Sequence, residues 1–261
     1  MEKNIQIIEA RYGTMMVHKL DRYVGKSFIE YGEFSEGEAE VFSQMITKDH
    51  IVVDCGANIG AHTVLFSKLA KHVYAFEPQQ HIFHILCGNV ALNELHNVTC
   101  LNLACGDGSE VSYADIDMGN VNNMGAGSLV DIQSEKKIPT LRMEIQCHFL
   151  KIDVEGMELQ VLQGASEMIK ACMPIVYLEN DRPDKSKQLI ELLNSFGYTC
   201  FWHTPALFNP NNYFKNKNDV FGDIGSINML CVPQGIKIQG LEEADPQVDW
   251  KDMWNTFQDR E

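Results

Sequence analysis

Short apolar runs alternate with segments of helical periodicity along most of this chain of 261 residues. The apolar runs are rich in β-branched and aromatic residues, which is typical of strands buried on both faces of a parallel sheet. The predicted strands are 51–53, 73–76, 98–104, 149–152 and 174–178. Predicted helices, in which apolar residues recur every three or four positions, are 61–69, 79–95, 159–170 and 185–196. This alternation predicts an α/β fold with a doubly wound, mostly parallel sheet.

The two ends of the chain and one internal stretch interrupt this rhythm. Residues 1–34 contain two short strand-like runs, which predict a small β-rich extension before a main domain at 35–234. Residues 109–146 alternate polar and apolar positions and predict a β-hairpin insertion. The middle of this insertion, 119–127, is rich in Gly and Asn and could close over a site. The last residues, 235–261, form a separate acidic segment.

Two further elements flank the alternating core. Ser35 and Glu38 match the S-x-x-E capping box, which predicts a helix at about 36–47 that leads into the first strand. The runs at 198–202 and 226–232 follow the last predicted helix. They predict an antiparallel pair at one edge, which brings the sheet to seven strands.

The turn after the first strand of the sheet is the most informative segment. Asp54 ends the strand, Gly56, Asn58 and Gly60 follow at alternate positions, and a helix begins at once. A tight glycine turn of this kind exposes backbone N–H groups at a helix start, where a carboxylate or phosphate binds. Glu77 closes the next strand, where an acidic side chain can accept both hydroxyls of a ribose.

Two cofactors fit this layout. A dinucleotide favours G-x-G-x-x-G, but Asn58 occupies the position of the middle glycine. The carboxylate of Asp54 would repel a pyrophosphate, whereas it suits the ammonium of the methionine part of S-adenosylmethionine. The pattern therefore favours S-adenosylmethionine. A nicotinamide-dependent oxidoreductase and a non-catalytic nucleoside-binding protein are the alternatives.

The composition bears on the cellular compartment and on the kind of binding partner. The net charge of −15 argues against a nucleic-acid partner, because phosphate contacts need clustered Lys and Arg. Eight cysteines are scattered without a CxxC pair, as expected in a reducing compartment. The chain shows no signal-peptide pattern and no apolar stretch of membrane-spanning length. We therefore expect a cytoplasmic protein with no membrane partner.

Six segments, in this order and spacing, resemble the FkbM-type methyltransferases. They are GEFSEGEAEVF (32–42), VVDCGANIGAHTVLFS (52–67), VYAFEPQQ (73–80), NVALNELHNV (89–98), ACGDG (104–108) and LKIDVEGMELQVLQGA (150–165). The resemblance implies the class I, Rossmann-like methyltransferase fold with S-adenosylmethionine as cofactor. Since this family mostly methylates hydroxyls, it also implies O-methylation, and it places Asn58 in the cofactor turn.

Acidic side chains follow the fourth and fifth strands at the same edge of the sheet. Methyl transfer to a hydroxyl needs an in-line oxygen and a group that takes its proton, and Asp153 or Glu155 could be that base. Alternatively Asp153, Glu179 and Asn180 could bind Mg²⁺, which would lower the pKa of the substrate hydroxyl.

Three more features are candidate parts of the site. Asp107 follows the third strand and could contact the adenine amino group, although an Asp-Gly turn explains it equally well. His203 follows the sixth strand and is a further candidate base. Aromatic and Asn residues at 202–218 predict a lip that stacks on and hydrogen-bonds a sugar. The expected acceptor is a sugar, a glycan or a related small molecule.

Overall fold

The structure is a computed structural model and describes residues 4–112, 137–222 and 224–248. The strands are, in chain order, β1 (Ile5–Ala10), β2 (Gly13–His18), β3 (Ile51–Cys55), β4 (His72–Phe76), β5 (Val98–Leu101), β6 (Ala104–Cys105), β7 (Glu110–Ser112), β8 (Lys137–Leu141), β9 (Phe149–Ile152), β10 (Ile175–Glu179), β11 (Tyr198–His203), β12 (Asn228–Pro233) and β13 (Glu242–Glu243). The helices are α1 (Val24–Tyr31), α2 (Glu36–Met45), α3 (Ala61–Leu69), α4 (Gln80–Leu92), α5 (Glu158–Gly164), α6 (Ser166–Cys172) and α7 (Pro183–Ser195).

The central sheet has the strand order β13-β11-β12-β10-β9-β3-β4-β5. From β10 to β5 all neighbours are parallel, because helices carry the chain back between consecutive strands. β12 lies antiparallel between β10 and β11. The predicted α/β fold, with its mostly parallel sheet and its antiparallel pair, is therefore confirmed. The sheet has eight strands rather than the predicted seven, since the two-residue β13 adds to the outer edge of β11.

Both faces of the sheet are covered, which explains why its parallel strands are apolar at most positions. Val53 packs on α5 to α7, for example against Leu162. Its neighbour Val52 points to the opposite face and packs on α2 and α3, in a cluster that includes Phe42 and Phe66. The carboxyl ends of β3, β4, β9 and β10 are left as the uncovered edge where a ligand can bind.

The N-terminal strands form an antiparallel hairpin that is anchored to the central domain. Asn89 on α4 accepts a hydrogen bond from the Met16 N–H at 2.6 Å and donates to the carbonyls of Met16 and Ile59, at 3.1 and 2.7 Å. Asn93, one turn later, exchanges two hydrogen bonds with the backbone of Thr14. Because Ile59 belongs to the turn after β3, these two amides connect the extension to the edge of the candidate site.

Helix α1 follows this hairpin and was not predicted. Its buried Val24, Phe28 and Tyr31 have helical spacing, but a glycine such as Gly25 is also typical of a turn. A Cβ at Gly25 would lie only 2.5 Å from the carbonyl oxygen of His18, so glycine is needed there for close packing rather than for a turn.

The predicted hairpin insertion is present in its flanks. β7 pairs antiparallel with β8, and β6 adds to β8 in parallel, which gives a small sheet of order β6-β8-β7. The predicted third strand is thereby divided, because β5 stays in the central sheet while β6 belongs to the small one. The stretch 113–136, with the predicted closing segment 119–127, lies outside the described residues. In the parts of the chain that are described, no helix has the length and apolar character needed to cross a bilayer.

Candidate active site

A cavity of about 440 Å³ opens at the carboxyl edge of the parallel strands. Its size lies in the range of roughly 300–1,000 Å³ that is usual for small-molecule sites. The lining residues at or just after strand ends include Gly56, Asn58, Glu77, Asp153, Glu155, Glu179 and Asp181. The structure therefore brings six of the predicted site residues together, with Asp181 added.

The turn after β3 lines one side of this cavity. Gly56 has φ +81°, and a Cβ there would lie 1.7 Å from the carbonyl oxygen of Asp153, so only glycine allows this approach to the end of β9. Asn58 is also left-handed, at φ +52°, and its side-chain oxygen accepts a hydrogen bond from the Ile59 N–H at 2.7 Å. Gly60 is the N-cap of α3 and packs near Leu86. Gly60 does not line the cavity, so its predicted cofactor contact is not supported.

Glu77 faces the cavity just beyond β4 and fixes the turn as well. Its carboxylate accepts hydrogen bonds from the N–H groups of Asn58, at 3.0 Å, and of Gln79, at 2.8 Å. Burial raises the pKa of Glu77 to about 7 in spite of these two hydrogen bonds. A carboxylate can accept more than these two hydrogen bonds, so Glu77 can still accept from a ligand in the cavity.

Asp54 has a different environment from the one that we expected. Its carboxylate is buried beneath the turn, where Thr63 Oγ1 donates to it at 2.7 Å and Lys151 Nζ lies 3.7 Å away. Lys151 is itself buried and also pairs with Asp153, at 3.0 Å. Asp54 does not line the cavity, so the predicted direct attraction between Asp54 and the donor's ammonium is not supported.

Glu38 lines the cavity and was missed as a site residue. Its Oε1 accepts a hydrogen bond from Asn228 Nδ2 at 2.6 Å, and its Oε2 lies 3.1 Å from His62 Nε2. Burial raises the pKa of Glu38 to about 7, although Lys151 opposes the shift. The helix predicted from the capping box is confirmed as α2, but the cap itself is not formed, because Ser35 is left-handed at φ +46° and makes no side-chain cap. The acid at this position was visible in the sequence but was assigned to the helix end.

His203 is set back from the cavity. Its Nδ1 lies 2.7 Å from the Tyr177 hydroxyl, which also accepts a hydrogen bond from Asn228 Nδ2 at 2.9 Å. Burial lowers the pKa of His203 to about 4, so the ring is neutral at pH 7. Because His203 does not line the cavity, its prediction as a base in contact with substrate is not supported. It instead supports Asn228, which holds Glu38.

The acidic side chains at the far end of the cavity come from β9 and β10. Burial raises the pKa of Glu155 to about 8, and the charges of Asp153 and Asp181 add to the effect. Burial likewise raises the pKa of Glu179, and the charges of its acidic neighbours contribute. Arg182 lies at the margin, 3.9 Å from the carboxylates of both Glu155 and Asp181.

The predicted Mg²⁺ site is not formed by its predicted ligands. Asp153 and Glu179 line the cavity, but Asn180 points to the opposite side of β10. Its Nδ2 donates to Ser186 Oγ at 2.9 Å and lies 3.3 Å from Met229 Sδ. Within residues 4–112, 137–222 and 224–248, no group of three or more His, Cys, Asp or Glu is placed to hold a metal ion. The residues present therefore do not fit Mg²⁺.

Two other predicted parts of the site lie largely outside the cavity lining. The Asp107 carboxylate accepts a hydrogen bond from the Ser109 N–H at 2.9 Å, within an Asp-Gly turn that does not line the cavity. The predicted adenine contact is thus not supported, and Leu103 to Cys105 line this region instead. Of the predicted lip at 202–218, Leu207 lines the cavity, whereas Asn209 donates at 2.8 Å to Glu33 and holds the loop against the N-terminal extension.

Comparison with known proteins adds relatives that act on RNA. A curated tRNA(Phe) (4-demethylwyosine(37)-C(7)) aminocarboxypropyltransferase of Methanocaldococcus jannaschii is 35% identical over 98 residues, which are 37% of this chain and 37% of that protein. The chain thus spans little more than a third of the curated relative that it matches. Our exclusion of a nucleic-acid partner was wrong, because this relative is named for its tRNA substrate. A net charge of −15 also counts buried cavity acids, so it does not describe any one surface.

Solved structures and a family model give the fold and the family. Trm5b of Pyrococcus abyssi aligns with a TM-score of 0.53 at 13% identity, over 89% of this chain and 56% of that one. Methyltransferase FkbM of Methylobacillus flagellatus aligns with a TM-score of 0.46 at 17% identity, over 71% of this chain and 44% of that one. The model of the methyltransferase FkbM domain matches residues 54–200, more than half of the chain. The chain therefore belongs to the FkbM methyltransferase family of S-adenosylmethionine-dependent enzymes.

Proposed function

We propose that the protein transfers the methyl group of S-adenosylmethionine to a hydroxyl of a sugar or a related acceptor in this cavity. The observation that carries the proposal is the charge of the cavity wall. None of the described lining residues is Lys or Arg, and the acids among them are Glu38, Glu77, Asp153, Glu155, Glu179 and Asp181. Such a wall attracts the sulfonium and ammonium groups of the donor and repels the pyrophosphate of a dinucleotide.

The donor is held by the side of the cavity that lies nearest to β3 and β4. Glu77 accepts the ribose hydroxyls, and the turn at Gly56 and Asn58 contacts the methionine part. Glu38 and Asp153 face the ammonium group. Burial raises the pKa of Glu38 to about 7, and an ammonium beside it favours the ionised form. This charge argument replaces the one that we first based on Asp54.

The chemical step is an in-line displacement at the methyl carbon. The acceptor oxygen forms the new C–O bond while the C–S bond breaks, and the electron pair of that bond returns to sulfur. The sulfonium becomes neutral S-adenosylhomocysteine. Glu155 takes the proton of the acceptor hydroxyl, since its pKa of about 8 is closer to neutral pH than that of an ordinary carboxyl.

Calorimetry with S-adenosylhomocysteine tests the donor site. Glu77→Ala removes the carboxylate assigned to the ribose, and we expect its affinity to fall about tenfold or more, as for lost hydrogen bonds to a charged group. Asp107→Ala is the matched control, because it removes an acid near a strand end that does not line the cavity. Equal losses in both variants, or no binding to the parent protein, would count against the proposed site.

A turnover assay tests the reaction. The protein is incubated with S-adenosylmethionine and a panel of sugars, nucleotide sugars, glycans and tRNA, and the nucleoside product is separated by chromatography. Methyl transfer leaves S-adenosylhomocysteine, whereas transfer of the aminocarboxypropyl group, for which the curated relative is named, leaves methylthioadenosine. Methylated hydroxyls together with S-adenosylhomocysteine support the proposal, and methylthioadenosine contradicts it.

A further inference from the structure

Three carboxylates line the end of the cavity that the donor leaves open, and Glu155 among them is the proposed base. Glu155 follows β9, Glu179 ends β10, and Asp181 comes two positions later. All three line the cavity, while Asn180 points away, as alternation along an extended chain requires. The Oε2 atom of Glu179 is buried and has no hydrogen-bond partner among the described residues. A buried carboxylate oxygen without a partner is costly, which indicates that a ligand completes this group.

The positive charge that the protein supplies here lies beside Glu155 and Asp181 rather than beside Glu179. Arg182 lies 3.9 Å from Glu155 and from Asp181, and its Nη2 donates to the Glu155 carbonyl at 3.0 Å, so it braces the loop at the margin. Lys185 donates to the carbonyl of Gly156 at 2.7 Å and belongs to the same brace. Burial raises the pKa of Glu179, and the negative charges of neighbouring acids raise it further. The described acids do not form a metal site either, so we do not expect a metal ion to neutralise them.

We propose that Glu179 and Asp181 bind a protonated amino group of the acceptor, so that the acceptor is a hydroxyl compound with an amine, such as an amino sugar. An ammonium has three N–H donors, so it can donate to both of these carboxylates and still donate to a third acceptor. The attraction between opposite charges is stronger in a partly buried cavity than in water. This inference rests on the proposed function, because it names the acceptor of that reaction.

Apolar residues complete the acceptor end. Leu207, Ile224 and Ile227 line the cavity on the side of the loop before β12. They offer a surface for the carbon skeleton while the acids hold the amine. Such a combination of an apolar wall and a few convergent polar groups is usual in small-molecule sites.

Three matched sugars test the inference in the presence of S-adenosylhomocysteine. Glucosamine carries an amine at C2, N-acetylglucosamine carries an uncharged amide, and glucose carries a hydroxyl. We expect glucosamine to bind about tenfold more tightly than either of the others, as for one charged contact. In Glu179→Gln this preference should disappear, while the affinity for S-adenosylhomocysteine stays within about twofold of the parent value.

The controls separate this inference from the proposed function. Asp181→Asn should reduce the same preference and serves if Glu179→Gln does not fold, whereas Asp107→Asn should leave it unchanged. Similar or undetectable binding of all three sugars, or a preference that survives in both cavity variants, overturns the inference. If S-adenosylhomocysteine binds in that case, the proposed function stands and only its acceptor class is lost. If S-adenosylhomocysteine does not bind to the parent, the proposed function itself fails.

Discussion

Glu155 has two properties that suit a general base at neutral pH. It lines the cavity directly after β9, where the acceptor oxygen would approach the donor. Burial, together with the charges of Asp153 and Asp181, raises its pKa to about 8. A proton acceptor whose pKa is close to the working pH combines a usable ionised fraction with a real affinity for the proton.

We predict that Glu155→Gln lowers kcat by about a hundredfold or more, which is the usual contribution of a general base. In the parent protein kcat/KM should rise with pH up to about pH 8, because the carboxyl must be ionised to accept a proton. Initial rates with labelled S-adenosylmethionine between pH 6 and 9 measure both effects. Glu167→Gln, an exposed acid, is the control. A variant with normal turnover, or a parent profile that is flat, would remove Glu155 from this role.

Single residues show where sequence reasoning reaches its limit. Asp54 and Glu77 both stand at strand ends, but only Glu77 faces the cavity. The difference comes from strand register, because Asp54 is the cross-strand partner of Ala75 and so lies two positions below Glu77 on the same face, short of the edge. Nothing in the sequence gives that register. Glu38 was missed as a site residue for a similar reason, since an acid in a capping box and an acid in a cavity cannot be distinguished by the local sequence.

At the scale of elements, periodicity was sufficient wherever burial decided the structure. Strands β3, β4, β9 and β10 are covered on both faces, so their apolar runs identified them without ambiguity. Helix α1 was not predicted because it contains Gly25, which close packing requires. Strand β13 has only two residues, too few to show an alternating pattern. Short elements of this kind are stabilised by their neighbours, which a linear pattern does not contain.

The contact between the turn after β3 and the end of β9 leads to a prediction for these elements. Gly56→Ala would place a Cβ 1.7 Å from the Asp153 carbonyl, in addition to the strain of φ +81°. Gly222→Ala is the matched control, since its φ is +62° and no non-neighbouring atom of the described residues lies within 4 Å of the new Cβ. We expect the control to lose about 1–2 kcal/mol of unfolding free energy and Gly56→Ala to lose at least about 2 kcal/mol more.

Urea unfolding monitored by circular dichroism measures this difference. If Gly56→Ala folds, we also expect weaker binding of S-adenosylhomocysteine, because the turn must move away from β9. Equal stability of the two alanine variants would mean that the turn is not held against β9 as described.

For the whole molecule, the acidic cavity has an effect on stability. Burial raises the pKa values of Glu38 and Glu77 to about 7 and that of Glu155 to about 8, above the ordinary value of 4.5. Between the unfolded and the folded pKa, the folded state therefore holds more protons than the unfolded state. By linkage, stability then falls as the pH rises through this range. The buried His62 and His203 have lowered pKa values and act in the opposite direction, but only below about pH 6.5.

We therefore predict that the melting temperature of the ligand-free protein decreases from pH 6.5 to pH 8.5. S-adenosylmethionine brings positive charge to the cavity and should stabilise the protein more at the upper end of this range. Differential scanning calorimetry at several pH values, with and without the donor, measures both trends. A melting temperature that is constant or rises with pH would show that folding does not raise the pKa values of these acids.

The carboxylate wall also bears on how a catalytic cycle would finish. Under the proposed reaction, the bound nucleoside loses its sulfonium charge when the methyl group leaves, while the wall keeps its own charge. S-adenosylhomocysteine then binds more weakly than S-adenosylmethionine, because it has lost one electrostatic attraction to the wall. Exchange of one for the other is thus favoured without any movement of the fold, and inhibition by the product should weaken as the wall becomes more ionised.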